Sequence, residues 1–225
     1  MPKADYIRSM FNDISDKYDL LNDLLSFGTH RLWKRKLVSI VQESQPKVLL
    51  DCATGTGDIA FVLEEKTQGK ITGIDFSPLM IEEAKKRSLK QHSKVHFEVA
   101  DVQKLPFDTK SFDAATISFG IRNVEDLRAG LKELSRVSKK LFILEFGQPK
   151  NLLYRKFYFL VLRLYVPIFS LLTKRTDAYD YLITSSEQFP SAEKFVEIMK
   201  ESTNYSQISY RSVFGGIAYI YQGKD

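Results

Sequence analysis

The stretch LLDCATGTGDIA, residues 49–60, passes from an apolar run through a glycine-rich turn into a helical pattern. Gly55 and Gly57 allow the backbone of such a turn to approach a ligand where side chains would collide. The amides that open the following helix point toward the same ligand. The stretch therefore predicts a strand, a ligand-binding turn and a helix, in that order.

The chain continues with the same alternation of strands and helices. Apolar runs predict strands, and apolar residues at three- and four-residue steps predict helices. The predicted strands are 47–51, 70–75, 95–100, 112–118 and 140–146, and the predicted helices are 58–66, 78–90 and 124–138, with 101–111 as a loop. Two further runs, 207–214 and 217–225, flank Gly215 and Gly216, which is typical of a hairpin. We expect an α/β fold in which a seven-stranded, mostly parallel sheet ends in an antiparallel hairpin and carries helices on both faces.

The sequence predicts a single structural unit with helical additions. We expect residues 1–46 to form an N-terminal helical cap on a domain of residues 47–225, with a helical insertion at about 151–190 and a further helix near 191–201. Residues 151–174 are very apolar, but charged residues and a proline interrupt them. Their longest unbroken apolar run is far shorter than the roughly 20 residues of a spanning helix. The stretch either packs over the core as a helix or offers an apolar face to lipid or to a lipophilic substrate.

Composition narrows the class of protein. Hydrophobic residues make up 44% of the 225 residues, which is enough to bury a sizeable core. Cys52 is the only cysteine, so a disulfide framework is excluded and a reducing compartment is expected. The first residues lack the apolar run of a secretory signal, so we expect a cytoplasmic protein. The net charge of +5 permits nucleic acid or an anionic membrane as a neighbour, but it is also common on ordinary surfaces.

Polar residues follow the predicted strands where a ligand would lie. Asp75 ends the second strand, and a carboxylate there can accept hydrogen bonds from ribose hydroxyls. The glycine turn and this acid indicate a nucleoside cofactor, although the turn also fits a loose dinucleotide pattern and a nicotinamide enzyme stays an alternative. Asp101 and the Val102 amide could receive adenine, and Ser118 ends the fourth strand. With a terminal hairpin, this combination resembles the class I S-adenosylmethionine-dependent methyltransferases, whose sheet is Rossmann-like.

Longer motifs make the resemblance narrower. The chain resembles the UbiE/MenG family, the quinone C-methyltransferases of menaquinone and ubiquinone biosynthesis, over nearly its whole length. The motifs are FNDISDKYDLLNDLLSFGTHRLWKR (11–35), DCATGTGD (51–58), ADVQKLPFDTKSFDAATISFGIRNVED (100–126), LEFGQP (144–149) and YDYLITSSEQFPS (179–191). The chain departs from the family where Thr54 replaces a usual glycine, where residues 138–140 replace a Lys-Pro-Gly-Gly turn, and in the last strand at 218–221.

The resemblance implies a reaction and a cofactor. A methyl group passes from S-adenosylmethionine to a ring carbon of a demethylated polyprenyl quinol, either a naphthoquinol or a benzoquinol, and leaves S-adenosylhomocysteine. The implied cofactor-binding residues are Gly55, Thr56, Asp75, Asp101, Val102 and Ser118, with Gly57 giving clearance, and no metal is expected. Asp51 is expected to support the turn or the methionine amine.

On the acceptor side the resemblance points to Arg122 and Asn123, with Tyr18 or His30 assisting. Arginine is too basic to act as a free base, so Arg122 is expected to hold and stabilise a phenolate, directly or through water. Three structural alternatives stay open: an ion pair for Arg122, packing of an N-terminal helix for Tyr18, and a surface or capping position for His30.

The expected partners are a polyprenylated quinol and, through residues 152–172, an anionic bilayer at the inner face of the membrane. No nucleic acid is expected, because a nucleic-acid amine methyltransferase usually shows an Asp/Asn-Pro-Pro-Tyr type motif where this chain has SFGIRN. A non-enzymatic interaction protein that kept the fold is a further alternative, and a homo-oligomer stays open.

Overall fold

A computed structural model describes residues 28–173 and 176–225, with side chains described for all of these except 165–173, 176–180 and 182. The strands are β1 (Val48–Cys52), β2 (Lys70–Asp75), β3 (His96–Val99), β4 (Ala114–Ser118), β5 (Lys140–Phe146), β6 (Gln207–Val213) and β7 (Ala218–Lys224). The helices are α1 (Thr29–Glu43), α2 (Asp58–Thr67), α3 (Pro78–Gln91), α4 (Leu127–Val137), α5 (Leu152–Thr173), α6 (Thr176–Gln188) and α7 (Glu193–Ser202), with 3-10 turns at Ile121–Asn123 and Phe214–Gly216.

The strands form one sheet in the order β3-β2-β1-β4-β5-β7-β6. Strands β1 to β5 are parallel to one another, whereas β7 is antiparallel to both β5 and β6. The predicted fold class is therefore confirmed, including the antiparallel hairpin. Of the two hairpin strands, β7 lies inside the sheet between β5 and β6, and β6 forms the edge.

Helices cover both faces of the sheet because successive strand residues point in opposite directions. Leu49 packs into a core built with α1, α2 and α3, and its neighbour Leu50 packs into a second core built with α4 and α7. Both leucines are completely buried. Strands buried on both faces explain why these runs are apolar throughout rather than alternating.

The structure starts α4 later than the sequence predicts. Residues 121–123 form a 3-10 turn, and the Asp126 side chain accepts hydrogen bonds from the amides of Arg128 and Ala129. An aspartate with extended backbone in this position caps the helix and fixes its first residue as Leu127. The predicted start at residue 124 is wrong, because the helix begins three residues later, at Leu127.

The helical additions contact the sheet domain directly. The described part of the expected cap is α1, which packs on α2 and β5 and buries six side chains, Trp33 and Leu37 among them. Helices α5 and α6 lie within the expected insertion at 151–190. Residues 1–27 lie outside the described part, and the domain boundary stays a prediction. Among the described residues no helix is both long and apolar enough to traverse a bilayer.

Candidate functional site

The glycine turn follows β1 in a conformation that few side chains tolerate. Ala53, Gly55 and Gly57 all have positive φ angles, of 49°, 56° and 91°. A Cβ atom on Gly57 would lie 2.8 Å from the Phe61 ring and 2.9 Å from the Phe97 ring. The amide of Gly57 donates to the carbonyl of Thr54 at 2.9 Å, which closes the turn. Glycine is required here because the backbone is left-handed and two aromatic rings occupy the space of a side chain.

Asp75 ends β2 beside the turn and holds it in place. Its carboxylate accepts hydrogen bonds from the amide of Gly55 at 2.9 Å and from the amide of Ser77 at 3.0 Å. Burial raises the pKa of Asp75 above its usual value, and these amides oppose that rise. A carboxylate has about four acceptor positions. The amides of Gly55, Ser77 and Phe76 use three of them, so one position is left for a ligand.

A cavity opens at the carboxyl ends of the parallel strands, which is where open α/β sheets bind ligands. The space at this cleft is about 870 Å³ when the open solvent at its mouth is included. Six predicted site residues line it: Gly55, Asp75, Asp101, Val102, Ser118 and Asn123. The structure therefore brings together five of the six predicted cofactor residues and one predicted acceptor residue.

Ser118 gives the cavity an unused polar group. Its hydroxyl is buried and has no hydrogen-bond partner among the described residues. A buried hydroxyl without a partner is costly, and such groups are rare in folded proteins. A ligand in the cavity would supply the missing partner.

Thr56, the sixth predicted cofactor residue, is not among the residues that line the cavity. Its hydroxyl accepts a hydrogen bond from Arg87 of α3 at 2.6 Å. The same guanidinium pairs with Asp58 at 2.7 Å, and Asp58 also pairs with Lys34 of α1 at 3.1 Å. These contacts join the turn to two helices. Although burial opposes ionisation, Lys34 and Arg87 lower the pKa of Asp58.

Asp51 of β1 holds the turn through hydrogen bonds. Its carboxylate accepts hydrogen bonds from Thr116 of β4 at 2.6 Å and from Thr54 at 2.7 Å. Burial raises the pKa of Asp51 to about 6, even though both hydroxyls favour the charged form. Thr54, the residue that departs from the family pattern, thus provides one of the two partners of this buried acid.

Arg122 lies in a buried ion pair. Its guanidinium contacts Glu145 of β5 at 2.7 Å and donates to the carbonyl of Phe119 at 2.8 Å. Only 6% of its side chain is exposed, and it is not among the residues that line the cavity. This geometry favours the ion-pair alternative over direct contact between Arg122 and a phenolate.

The other predicted acceptor residues have different positions. Asn123 lines the cavity, and its side-chain carbonyl accepts a hydrogen bond from Tyr181 of α6 at 2.9 Å. His30 is buried on α1, which excludes the surface alternative. Tyr18 lies outside the described residues.

Sequence reasoning missed three residues that hold this site. Glu145 had a signal, because a carboxylate inside the apolar strand KLFILEF needs a buried cation. Thr116 had the weaker signal of a hydroxyl in a buried strand. No sequence signal pointed to Arg87, because it belongs to the basic run Lys85-Lys86-Arg87, which is typical of an ordinary solvated surface.

Comparisons with known proteins agree with the fold and the motifs. The sequence model described as the ubiE/COQ5 methyltransferase family matches residues 1–225. A protein of Bdellovibrio bacteriovorus named ubiquinone/menaquinone biosynthesis C-methyltransferase UbiE is 40% identical over 227 residues, which cover 99% of this chain and 97% of the relative. A protein of the same name from Geobacter sp. strain M21 is 40% identical over 228 residues, with coverage of 98% and 97%.

A solved structure shares the fold at much lower identity. The crystal structure of a SAM-dependent methyltransferase from Aquifex aeolicus aligns with a TM-score of 0.62 and 17% identity, covering 96% of this chain and 97% of the other. The whole-length family match and the two relatives establish the identity of the chain: it belongs to the ubiE/COQ5 methyltransferase family.

Proposed function

We propose that this protein transfers the methyl group of S-adenosylmethionine to a ring carbon of a demethylated polyprenyl quinol. The observation that carries the proposal is the cavity at the carboxyl ends of β1, β2, β3 and β4. The glycine turn, the acids that follow β2 and β3, and a serine hydroxyl with no partner in the described part of the chain converge there. Membership of the ubiE/COQ5 family makes the protein a methyltransferase. The names of its relatives, ubiquinone/menaquinone biosynthesis C-methyltransferase, give the acceptor class.

The residues around the cavity fit an adenosyl sulfonium. Asp75 would accept from a ribose hydroxyl with its remaining acceptor position, and Asp101 with the Val102 amide would receive adenine. Ser118, whose hydroxyl has no partner within residues 28–173 and 176–225, would bind the methionine portion. Gly55 lines the cavity and leaves room for the ligand against the backbone, whereas the Phe61 and Phe97 rings fill the space beside Gly57, so the expected clearance at Gly57 is not for the ligand. Thr56 would contribute through its backbone, because its hydroxyl is engaged by Arg87.

When bound, S-adenosylmethionine supplies a methyl group on a good leaving group, so the protein chiefly aligns sulfur, methyl and acceptor carbon. The acceptor carbon becomes nucleophilic as a neighbouring hydroxyl loses its proton, and donors that stabilise the resulting phenolate lower the barrier. Asn123 lines the cavity and can donate through its amide. Arg122, paired with Glu145, would act as a positioning residue that fixes the segment from Phe119 to Asn123.

The cofactor site is tested by titrating the protein with S-adenosylhomocysteine in a calorimeter. Replacing Asp75 with alanine removes a charged acceptor, so we expect the dissociation constant to rise about 10- to 100-fold. Asp108→Ala, an exposed carboxylate on the loop after β3 that does not line the cavity, is the matched control and should bind like the wild type. Equal affinity of the Asp75→Ala variant and the wild type would remove Asp75 from the site.

The reaction is tested with a short-chain demethylmenaquinol or demethylated benzoquinol and methyl-labelled S-adenosylmethionine. Label should appear on a ring carbon of one or both acceptors. Label in neither, from protein that binds S-adenosylhomocysteine, would contradict the acceptor class while leaving the cofactor assignment intact.

We further propose that α5 rests on an anionic bilayer. Four large apolar side chains follow one another along this helix at helical spacing and are 56–79% exposed: Leu153, Phe157, Leu160 and Leu164. The basic residues Lys156 and Arg163 are also exposed on the same helix. An apolar stripe with flanking positive charge is typical of a helix that lies in a membrane interface. A quinol with a polyprenyl tail resides in that membrane.

Co-sedimentation with phosphatidylcholine vesicles, with and without phosphatidylglycerol, tests this contact. The double substitution Leu153→Gln and Phe157→Gln should abolish most of the bound fraction, because each buried side chain contributes about 1.5–3 kcal/mol. Leu89→Gln on α3 is the control, since Leu89 is as exposed as Leu153, at 79%. Binding that is unaffected by the double substitution, or equally affected by the control, would overturn the proposal.

A further inference from the structure

One face of helix α6 contacts the 3-10 turn that lies beside the cavity. Tyr181 and Ser185 of this helix are four residues apart, so they lie one helical turn apart on the same face. The Tyr181 hydroxyl donates to the side-chain carbonyl of Asn123 at 2.9 Å, and the Ser185 hydroxyl accepts from the Nε of Arg122 at 3.4 Å. The motif YDYLITSSEQFPS (179–191) therefore supplies direct partners to two consecutive residues of the turn.

Two contacts determine the orientation of the Asn123 amide. Its oxygen accepts from Tyr181, and its nitrogen donates to the carbonyl of Phe119 at 3.5 Å. Rotating the amide by half a turn would bring two carbonyl oxygens together at Phe119, whose carbonyl already accepts from Arg122 at 2.8 Å. The contact with Phe119 is long for a hydrogen bond, so Tyr181 provides the stronger constraint on the amide.

This orientation leaves an N–H donor for a ligand. An amide nitrogen carries two N–H groups, and only one of those of Asn123 is used by Phe119. The other amide side chain that lines the cavity, Gln103, is engaged at both ends. Its nitrogen donates to Asp101 at 3.3 Å, and its oxygen accepts from the amide of Asp126 at 2.9 Å. Asn123 is therefore the amide that can bind a ligand oxygen in the cavity.

The charge of the cavity makes this donor important for a phenolate. Within the described residues, the ionisable side chains that line the cavity are all carboxylic acids: Asp75, Asp101 and Glu125. The cation of the adjacent turn, Arg122, is paired with Glu145 and does not line the cavity. An N–H group stabilises a negative oxygen in such surroundings, whereas a carbonyl oxygen in the same place would repel it.

We propose that Tyr181 is a positioning residue that keeps an N–H of Asn123 toward the acceptor, so that the site favours an acceptor hydroxyl that has lost its proton. The inference rests on the proposed function and deepens it, because it names the residue that selects the reactive form of the acceptor. Tyr181 does not line the cavity and acts through Asn123. An N–H binds a phenolate more strongly than a neutral hydroxyl, whereas a carbonyl oxygen binds the neutral hydroxyl alone.

The ionisation of a bound phenol tests this selection without methyl transfer. The probe 4-nitrophenol ionises near neutral pH and its phenolate is yellow, so a pH titration with excess protein and S-adenosylhomocysteine gives the pKa of the bound probe. The wild type should lower this pKa below its value in water, and Tyr181→Phe should lower it by about one unit less. No lowering by the wild type, or an equal lowering by both proteins, would overturn the proposal.

Steady-state kinetics with a quinol that the wild type methylates separate positioning from packing. Tyr181→Phe should lower kcat about tenfold at neutral pH and change the KM for the acceptor little, because negative charge develops on the oxygen in the transition state. The loss should become smaller as the pH rises, since the acceptor then ionises more readily without help. An unchanged kcat, or a loss that is the same at every pH, would contradict a role in selecting the phenolate.

A double-mutant cycle tests whether Tyr181 acts through Asn123. The double variant Tyr181→Phe, Asn123→Ala should have the kcat of Asn123→Ala alone, whereas losses that multiply would overturn the proposal. Tyr154→Phe is the matched control, because it removes the same group from α5, where the hydroxyl donates to the carbonyl of Phe214 at 3.5 Å and does not line the cavity. It should match the wild type in kcat and in the pKa of the bound probe.

The two readouts distinguish this inference from the proposed function. If the wild type methylates a quinol and Tyr181→Phe does so with the same kcat, the role of Tyr181 is refuted while the proposed function stands. If the wild type methylates neither quinol, the proposed acceptor class fails, and the pKa of bound 4-nitrophenol still decides the role of Tyr181.

Discussion

At the scale of single residues, Asp51 is an acid kept in an apolar core by two hydroxyl groups. Because its pKa rises from 3.8 to about 6 on folding, the native state binds the proton more tightly than the unfolded state does. The contribution of Asp51 to stability is therefore most favourable below its unfolded pKa, and it declines as the pH rises from about 4 to about 6.

This sign gives a prediction for Asp51→Asn, which cannot ionise. The free energy of unfolding of the wild type should fall relative to that of Asp51→Asn as the pH rises from 4 to 7, by about 2 kcal/mol. Urea denaturation of both proteins at several pH values measures the difference, and taking the difference removes the contribution of other carboxylates. A difference that is independent of pH would show that Asp51 has an ordinary pKa in the folded protein.

Arg87 predicts a different effect, on the cofactor rather than on stability. Arg87→Met would release Thr56 and Asp58 from α3. We expect the KM for S-adenosylmethionine to rise about 10-fold and kcat to change little, because a charged hydrogen bond that orders the turn is lost. Lys86→Met is the control, because Lys86 lies on the same helix and its ammonium group pairs with Glu83 of that helix at 3.6 Å rather than with the turn. An unchanged KM in Arg87→Met would make the contact irrelevant to binding.

The candidate site shows what local sequence predicts about single residues. Asp75, Asp101 and Ser118 were predicted to line the site because parallel strands end at a common edge, and the structure places them at one cavity. The orientations of Thr56 and Arg122 were not predictable, since each depends on a partner distant in sequence. Arg87 is 31 residues from Thr56, and Glu145 is 23 residues from Arg122.

At the scale of elements, the strands were predicted within two residues of their observed ends, because burial on both faces makes them apolar throughout. Helix ends were harder to predict, since they depend on side-chain caps and on turns such as Ile121–Asn123. The position of β7 between β5 and β6 was not predicted. Hairpin signals predict that β6 and β7 pair with each other, but they do not predict which of the two pairs with β5.

The cap of α4 gives a prediction at this scale. Asp126→Ala leaves the amides of Arg128 and Ala129 without their acceptor and should lower the free energy of unfolding by about 1 kcal/mol. Asp126→Asn retains an acceptor oxygen and should lose much less. Chemical denaturation of the three proteins gives the comparison, and equal losses in both variants would mean that charge rather than capping is responsible.

At the scale of the whole molecule, buried contacts link the sheet to helices far along the chain. The Tyr221 hydroxyl of β7 accepts a hydrogen bond from the amide of Ala192, just before α7, at 2.8 Å. Tyr221→Phe would leave this buried amide unsatisfied and should cost about 1–3 kcal/mol of global stability. Thermal unfolding measures the loss, and Tyr210→Phe, at the partly buried position opposite Tyr221, should lose less.

Because β7 lies between β5 and β6, the sheet cannot be completed during synthesis until β7 has been made. Until residues 218–224 have left the ribosome, β5 has an unpaired edge of seven residues, and most of its side chains are apolar. An open apolar edge is prone to aggregation, and pairing between distant segments forms slowly. Nascent chains of this protein therefore stay vulnerable until residues 218–224 have emerged and paired, so slower synthesis at low temperature should increase the yield of folded enzyme.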